Sequence, residues 1–227
     1  MGDRNARVRV ICFDVDGTLV HHPAGKTVWQ VLNDRFLGDP ALNAARFEDF
    51  RVGRLSYAEW VALDVGDWVV RGADRGQIEK IIRETLTVVH GARETLEALR
   101  RRGYRLAVIS GTIDLTLDLL LEGFPFDRVF TNKLFFDGKG RICGWLATPY
   151  DVGGKARALD RVAAEFGVDA RRCAFVGDHW NDLAALERAG LAIAFHPKDD
   201  EVRGAADIVI EGGSLTRLLD IFPEIGA

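Results

Sequence analysis

The chain has 227 residues, 48% of them hydrophobic and 28% charged, with a formal net charge of −4. That is a globular composition with room for a substantial core. The charge gives no basic footprint for nucleic acid, and no apolar run reaches the length of a membrane span. The N-terminus, MGDRNARVRV, lacks the apolar stretch of a signal peptide, and Ala6 stands where a myristoylation site needs Ser or Thr. Cys12, Cys143 and Cys173 are odd in number and form no CxxC pair, which reads as packed thiols in a reducing cytoplasm.

In chain order, residues 7–13 (RVRVICF) form a short β-rich run that predicts a buried strand. From His21 to about Val88 the pattern is helical. Thr27 can cap a helix carrying Val28, Val31, Leu32 and Phe36. Ser56 with Glu59 and Asp74 with Gln77 form two capping boxes. No convincing strand lies in this stretch, so it reads as an all-helical insert. After it, strands and helices alternate. A helix over Ala92–Leu99 is followed by a strand at Tyr104–Ser110, a helix at Thr112–Glu122 and a strand beginning near Val129. A hairpin turns at Asp137–Gly140. A helix ends at Gly167, and a strand at Cys173–Val176 leads to a helix at Leu183–Ala189. Short strands at Leu191–Ala194 and Asp207–Ile210 and a closing helix at Leu215–Ile221 complete the chain. This alternation predicts an α/β fold with a parallel sheet flanked by helices, which binds ligands beyond the carboxyl ends of its strands.

Polar groups cluster at those predicted strand ends. Asp14 and Asp16 in FDVDGTLV are two apart on a strand and point to the same side. At ~4 Å and an effective dielectric of ~20, two such charges repel by about 4 kcal/mol. Ser110 with Gly111 follows the next strand, at the start of a helix whose N-terminus favours an anion. Lys155 in GGKARAL sits in a helix first turn, against the dipole. Asp178 and Asp182 in GDHWNDLAAL are spaced to face one point. A divalent cation resolves the repulsion. Oxygens of Asp14, Asp178 and the Asp16 carbonyl suit Mg²⁺, which takes few carboxylates and keeps several waters.

These motifs, in this order, resemble those of the haloacid dehalogenase superfamily, within it the phosphoserine phosphatase-like branch. The resemblance covers nearly the whole chain. It implies a Rossmann-like core over residues 1–20 and 89–227 and a helical cap over residues 21–88. It further implies an Mg²⁺-dependent phosphatase for a small phosphomonoester. Asp14 would be the nucleophile that forms an aspartyl-phosphate, and Asp16 the general acid and base. Ser110, Gly111, Lys155 and Asn181 would hold the phosphate. Asp14, Asp16, Asp178 and Asp182 would make up the metal site, Asp182 directly or from behind. A phosphomutase or phosphotransferase of the same branch, and a non-hydrolytic phospho-acceptor or scaffold, are the alternatives.

The branch uses a cap glutamate for the substrate ammonium and a cap arginine for its carboxylate. Here Pro23 stands near the glutamate's place, and Ala62 or Asp64 at the arginine's. Phosphoserine itself is therefore a poor fit. His21, His22 and Lys26 lean toward an anionic or polyhydroxyl leaving group, against a solvated loop as the alternative. Trp29, Trp60 and Trp68 read as cap core, with substrate walls as the alternative. Asp64 either faces the site or flanks it, and Trp180 is large enough to narrow the pocket. Substrate, oligomeric state and pathway are not set by the sequence.

Overall fold

A computed structural model describes residues 7–226. The N-terminal segment with Gly2 and Ala6 lies outside the described residues. Among those described, no helix is long and apolar enough to cross a membrane.

The sheet is built on β1 (Val10–Phe13), which pairs in parallel with β4 (Arg105–Ile113) on one side and β7 (Cys173–Gly177) on the other. β5 (Arg128–Phe136), β8 (Leu191–Phe195) and β9 (Ile208–Ile210) extend it in parallel. β6 (Ile142–Leu146) closes one edge, antiparallel to β5, as the hairpin pattern predicts. The order is β6-β5-β4-β1-β7-β8-β9. The central strands are apolar throughout because both faces are covered. Ile11, Phe13, Val108 and Val176 pack with Leu96 and Leu99 on one face. Cys12, Ile109 and Phe175 pack with Leu159 and Val162 on the other. Cys12 and Cys173 are buried and free; Cys143 is free and exposed.

Between β1 and β4 the chain makes four helices: α1 (Val28–Phe36), α2 (Pro40–Arg51), α3 (Tyr57–Val70) and α4 (Arg75–Thr85). The capping boxes at Thr27, Ser56 and Asp74 all form. α2 is absent from the sequence reading. Only Arg46 is buried on it, so no apolar stripe announces it. Its signal is instead the Asp39 N-cap followed by Pro40 at the first helical position. The insert is also not wholly helical. β2 (Val20–His21) and β3 (Thr87–Val88) pair antiparallel at its two ends, tying entry to exit.

The helices share one core: Val28, Leu32, Val65, Trp68, Ile78 and Ile82 pack with Ile113, Leu115 and Leu134 from the β4–β5 region. Beyond β3 come α5 (Ala92–Arg101), α6 (Asp114–Leu120), α7 (Lys155–Glu165), α8 (Leu183–Arg188) and α9 (Asp200–Ala205), the last also unpredicted. The closing segment Leu215–Asp220 is a 3₁₀ helix.

One boundary differs in a way that matters for the site. The helix expected from Thr112 begins at Asp114, and β4 continues through Ser110 and Gly111 to Ile113. Ile109 and Ile113 are buried, and the register against β5 shifts between them. β-branched residues anchored this way hold the backbone extended. Ser110 therefore lies within a strand, away from the helix N-terminus.

Trp68 is fully buried, and its Nε1–H donates to Asn33 Oδ1 at 2.8 Å. Trp68→Ala removes the largest side chain of the helical layer. It is expected to lower unfolding stability by ~3–5 kcal/mol in urea titrations. A loss below ~1 kcal/mol would show that this layer does not unfold with the rest.

Candidate active site

The carboxyl ends of β1, β4 and β7 converge on one point. Asp14 follows β1, and its N–H donates to Val176 O at 2.9 Å, which carries the strand geometry one residue further. The chain then turns sharply, with the N–H groups of Thr18, Leu19 and Val20 all reaching Val15 O. Gly17 makes the turn with φ +106°, and a Cβ there would lie 2.0 Å from Asp178 Oδ2. Only glycine fits that position. Gly177 and Gly111 serve in the same way. A Cβ on the first would meet Asp182 Oδ2 at 2.4 Å, and on the second Asp151 Oδ2 at 2.0 Å.

Lys155 lies fully buried at the start of α7. Its Nζ donates to Asp14 Oδ1 at 2.5 Å and to Asp182 Oδ1 at 2.6 Å. Burial alone would lower this lysine. Asp14, Asp182 and Asp151 outweigh it and raise the ammonium above the ordinary lysine value. The position against the helix dipole is thus offset by three carboxylates. The second oxygen of Asp182 accepts the N–H groups of Asp178 at 2.9 Å and His179 at 3.2 Å. Asp182 thereby holds both the lysine and the loop after β7.

Asp178 is fully buried. Its Oδ2 has an ion pair with Lys198 Nζ at 2.7 Å but no directed hydrogen bond, and its Oδ1 receives Thr18 Oγ1 at 3.4 Å. Burial and the charge of Asp14 push Asp178 up to about 8. Burial also raises Asp14, with Lys155 opposing and Asp182 adding to it. Asp16 is pushed up to about 7 by burial and by Asp14, although Val28 N–H at the start of α1 donates to its Oδ1 at 3.1 Å.

Asp14, Asp178 and Asp182 each offer an oxygen within 4.8 Å of the others. Two ammonium groups stand against these three buried carboxylates and Asp16. The excess of carboxyl over ammonium groups, the hard oxygen donors and an Asp178 oxygen without a directed hydrogen bond all fit a small divalent cation.

Asp14, Asp16, Ser110, Gly111 and Asn181 line one cavity of about 510 Å³. Ser110 Oγ accepts Thr112 N–H at 3.2 Å and faces Asp14. Asn181 Nδ2 donates to Asp151 Oδ1 at 3.0 Å. Asp151 and Lys198 belong to this site yet are missing from the sequence reading, because each sits in a loop with no motif of its own. Trp29 and Trp60, expected in the core, line the cavity, and Trp29 Nε1 donates to Gly111 O at 2.7 Å. Asp64 and Trp180 line it as well. His21, His22 and Lys26 do not. They line a second cleft with His90 and His196, which adjoins the first at Gly25 and Lys198.

The model of the haloacid dehalogenase-like hydrolases matches residues 8–190. The chain belongs to that family. A phosphoserine phosphatase of Archaeoglobus fulgidus is 29% identical over 96% of this chain and 60% of its own length. One of Haemophilus influenzae is 30% identical over 82% of this chain and 58% of its own length. The chain thus spans about three fifths of these relatives. A phosphoserine phosphatase of Methanocaldococcus jannaschii, 28% identical, is covered over 96% of its length and 93% of this chain. A solved structure described as a phospho-aspartyl intermediate analogue of phosphoserine phosphatase superposes with a TM-score of 0.72. It is 27% identical and covered over 99% of its length and 95% of this chain. The parallel sheet flanked by helices is the fold of this family.

The raised carboxyls give a stability test. The folded metal-free chain holds protons on Asp16 and Asp178 that the unfolded chain has released, so their contribution is lost as pH rises through about 7 to 8. Mg²⁺ is expected to raise the Tm more at pH ~8 than at pH ~5, where protons compete for the same oxygens. Thermal scans with and without the ion check this. An equal or larger gain at the lower pH would contradict the reading.

Proposed function

We propose that the protein is an Mg²⁺-dependent phosphatase that hydrolyses a small phosphomonoester through an aspartyl-phosphate. One observation carries this reading: Asp14 and Asp178, 164 positions apart in the chain, offer oxygens to one point beside a buried lysine. Asp14, Asp178 and the backbone carbonyl of Asp16 would hold the ion, with Asp182 bracing them. Bound Mg²⁺ supplies charge neutralisation for the attacking carboxylate and the phosphoryl oxygens.

In the first step a carboxylate oxygen of Asp14 bonds to phosphorus and the bond to the leaving oxygen breaks. Asp16, raised to about 7, carries the proton that the leaving oxygen takes. In the second step Asp16 takes a proton from water, the water oxygen bonds to phosphorus, and Asp14 is released with inorganic phosphate. Lys155, Ser110, the Gly111 amide and Asn181 orient and neutralise the phosphoryl group, which is most of what this chemistry needs. Residues 21–88 act as a cap that excludes water, attached to the core of residues 1–20 and 89–227. Support for this comes from Val28 N–H on Asp16, Trp29 on Gly111, and Tyr57 Oη accepting from Asn132 Nδ2 at 2.7 Å. The free buried thiols of Cys12 and Cys173 fit a cytoplasmic location.

Phosphate release from p-nitrophenyl phosphate with Mg²⁺ tests the proposal. Asp14→Asn is expected to abolish release and to remove the phosphoryl adduct seen by mass spectrometry after rapid acid quench. Asp16→Asn is expected to slow release by ~10²–10⁴-fold. Hydrolysis by Asp14→Asn at the rate of the unaltered protein would sink it. Transfer to an added alcohol in preference to water would make the enzyme a phosphotransferase.

A further inference from the structure

The cavity has two unlike ends. At the reacting end lie the acids and lysines described above. The far wall comes from α1, α2 and α3, and among its described lining residues none carries a fixed positive charge. Its charged group is Asp64. Behind Asp64 sits Arg46, whose Nη1 donates to Asp64 Oδ1 at 2.6 Å and whose Nη2 donates to Asp67. One guanidinium against two carboxylates (+1 −1 −1) leaves this group at −1; Asp64, 2% exposed, is its member on the cavity, and Asp67 lies outside the lining. Asn33 Nδ2 fixes Asp64 Oδ2 at 3.0 Å, and Trp68 fixes Asn33 in turn. The insert therefore does hold a buried arginine, but acids of its own layer neutralise it.

The opposite wall adds to this bias. Asp151 lines the cavity. Lys198, the one lining side chain of fixed positive charge among the described residues, has its ammonium on Asp178. The rest of the lining is rich in π faces: Trp29, Tyr57 and Trp60 from the helices and Trp180 from the loop after β7. Phe47 bridges the layers, with its ring 6.0 Å from Trp60 and 6.0 Å from Trp180.

An anionic leaving group would be desolvated here with no cation to meet it, at high cost. A cation is drawn by net negative charge and by ring quadrupoles together. The cavity volume, about 510 Å³, falls in the range for ligands well beyond a two-carbon alcohol, ~300–1,000 Å³. That leaves room for substituents on a nitrogen.

We propose that Asp64 and the aromatic lining select phosphomonoesters of amino alcohols that carry no carboxylate, with the alkylammonium seated at the cap wall. The inference rests on the phosphatase reading above and names its substrate class. It also departs from the phosphoserine phosphatases it resembles, since phosphoserine bears both an ammonium and a carboxylate.

The test compares kcat/KM for phosphocholine and for neohexyl phosphate, in which carbon replaces the quaternary nitrogen. Phosphoethanolamine is compared with phosphoserine in parallel. The cationic member is expected to lead its neutral isostere by about tenfold or more, and phosphoethanolamine to lead phosphoserine by a similar factor. Asp64→Asn is expected to shrink both ratios toward one, and Asp64→Glu to restore them. Calorimetric titration of choline and neohexyl alcohol, which have no phosphoryl group to turn over, into the unaltered, Mg²⁺-loaded protein reads the same preference without a variant that must fold. Equal handling of the isosteres, or a preference for phosphoserine, overturns the inference. Inactivity toward p-nitrophenyl phosphate instead removes the phosphatase reading, and the titration then still decides the preference of the wall.

Discussion

The structure turns on one buried ammonium. Lys155, inaccessible to solvent, joins Asp14 from the first strand to Asp182 beyond the seventh. Without it, carboxylates from two strand ends would face each other in a medium of low dielectric, where repulsion is strongest. With it, the cluster still holds more carboxyl than ammonium groups. That imbalance makes the site receptive to a hard cation. A buried charge network of this kind contributes little net stability. Its consequence is positional: three loops distant in sequence are held to one point.

The parallel sheet makes the convergence possible. Its central strands present their carboxyl ends on one edge, and the loops leaving β1, β4 and β7 meet there. Close approach is then limited by side-chain bulk. Gly17, Gly111 and Gly177 each face a carboxylate where a Cβ would collide. The glycines of the motifs are thus spatial requirements of the acids. Arranged this way, the polar groups are preorganised before any ligand arrives, which is where most of the rate in phosphoryl transfer originates.

The helical layer is bound to those same loops. Val28 N–H on Asp16 places the end of a helix dipole at a carboxylate, and Trp29 rests its indole N–H on the Gly111 carbonyl. Its own interior shares residues with β4 and β5, so cavity-facing and sheet-facing surfaces belong to one packed unit. The polar network of Asn33, Arg46, Asp64, Asp67 and Trp68 lies just behind the cavity wall. It sets the wall's charge and rigidity together.

The sequence by itself determined the elements with strong local signals. The Thr27 cap, two capping boxes, the apolar strand runs, the DG turn of the hairpin and the DVDGT and GDHWND stretches each state their structure within a few residues. Period and cap chemistry are local properties. The sequence did not announce α2, whose one buried residue is an arginine, and it placed the helix after Ser110 too early, because packing of Ile113 decides that boundary. Tertiary structure alone brought Asp151 and Lys198 to the acids, turned Trp29 and Trp60 toward the cavity, and set His21, His22 and Lys26 along an adjoining cleft. It alone paired Arg46 with Asp64 and Asp67. Each of these depends on contacts across many tens of residues, and the sign of the charge on a cavity wall is a sum over partners that no single segment contains.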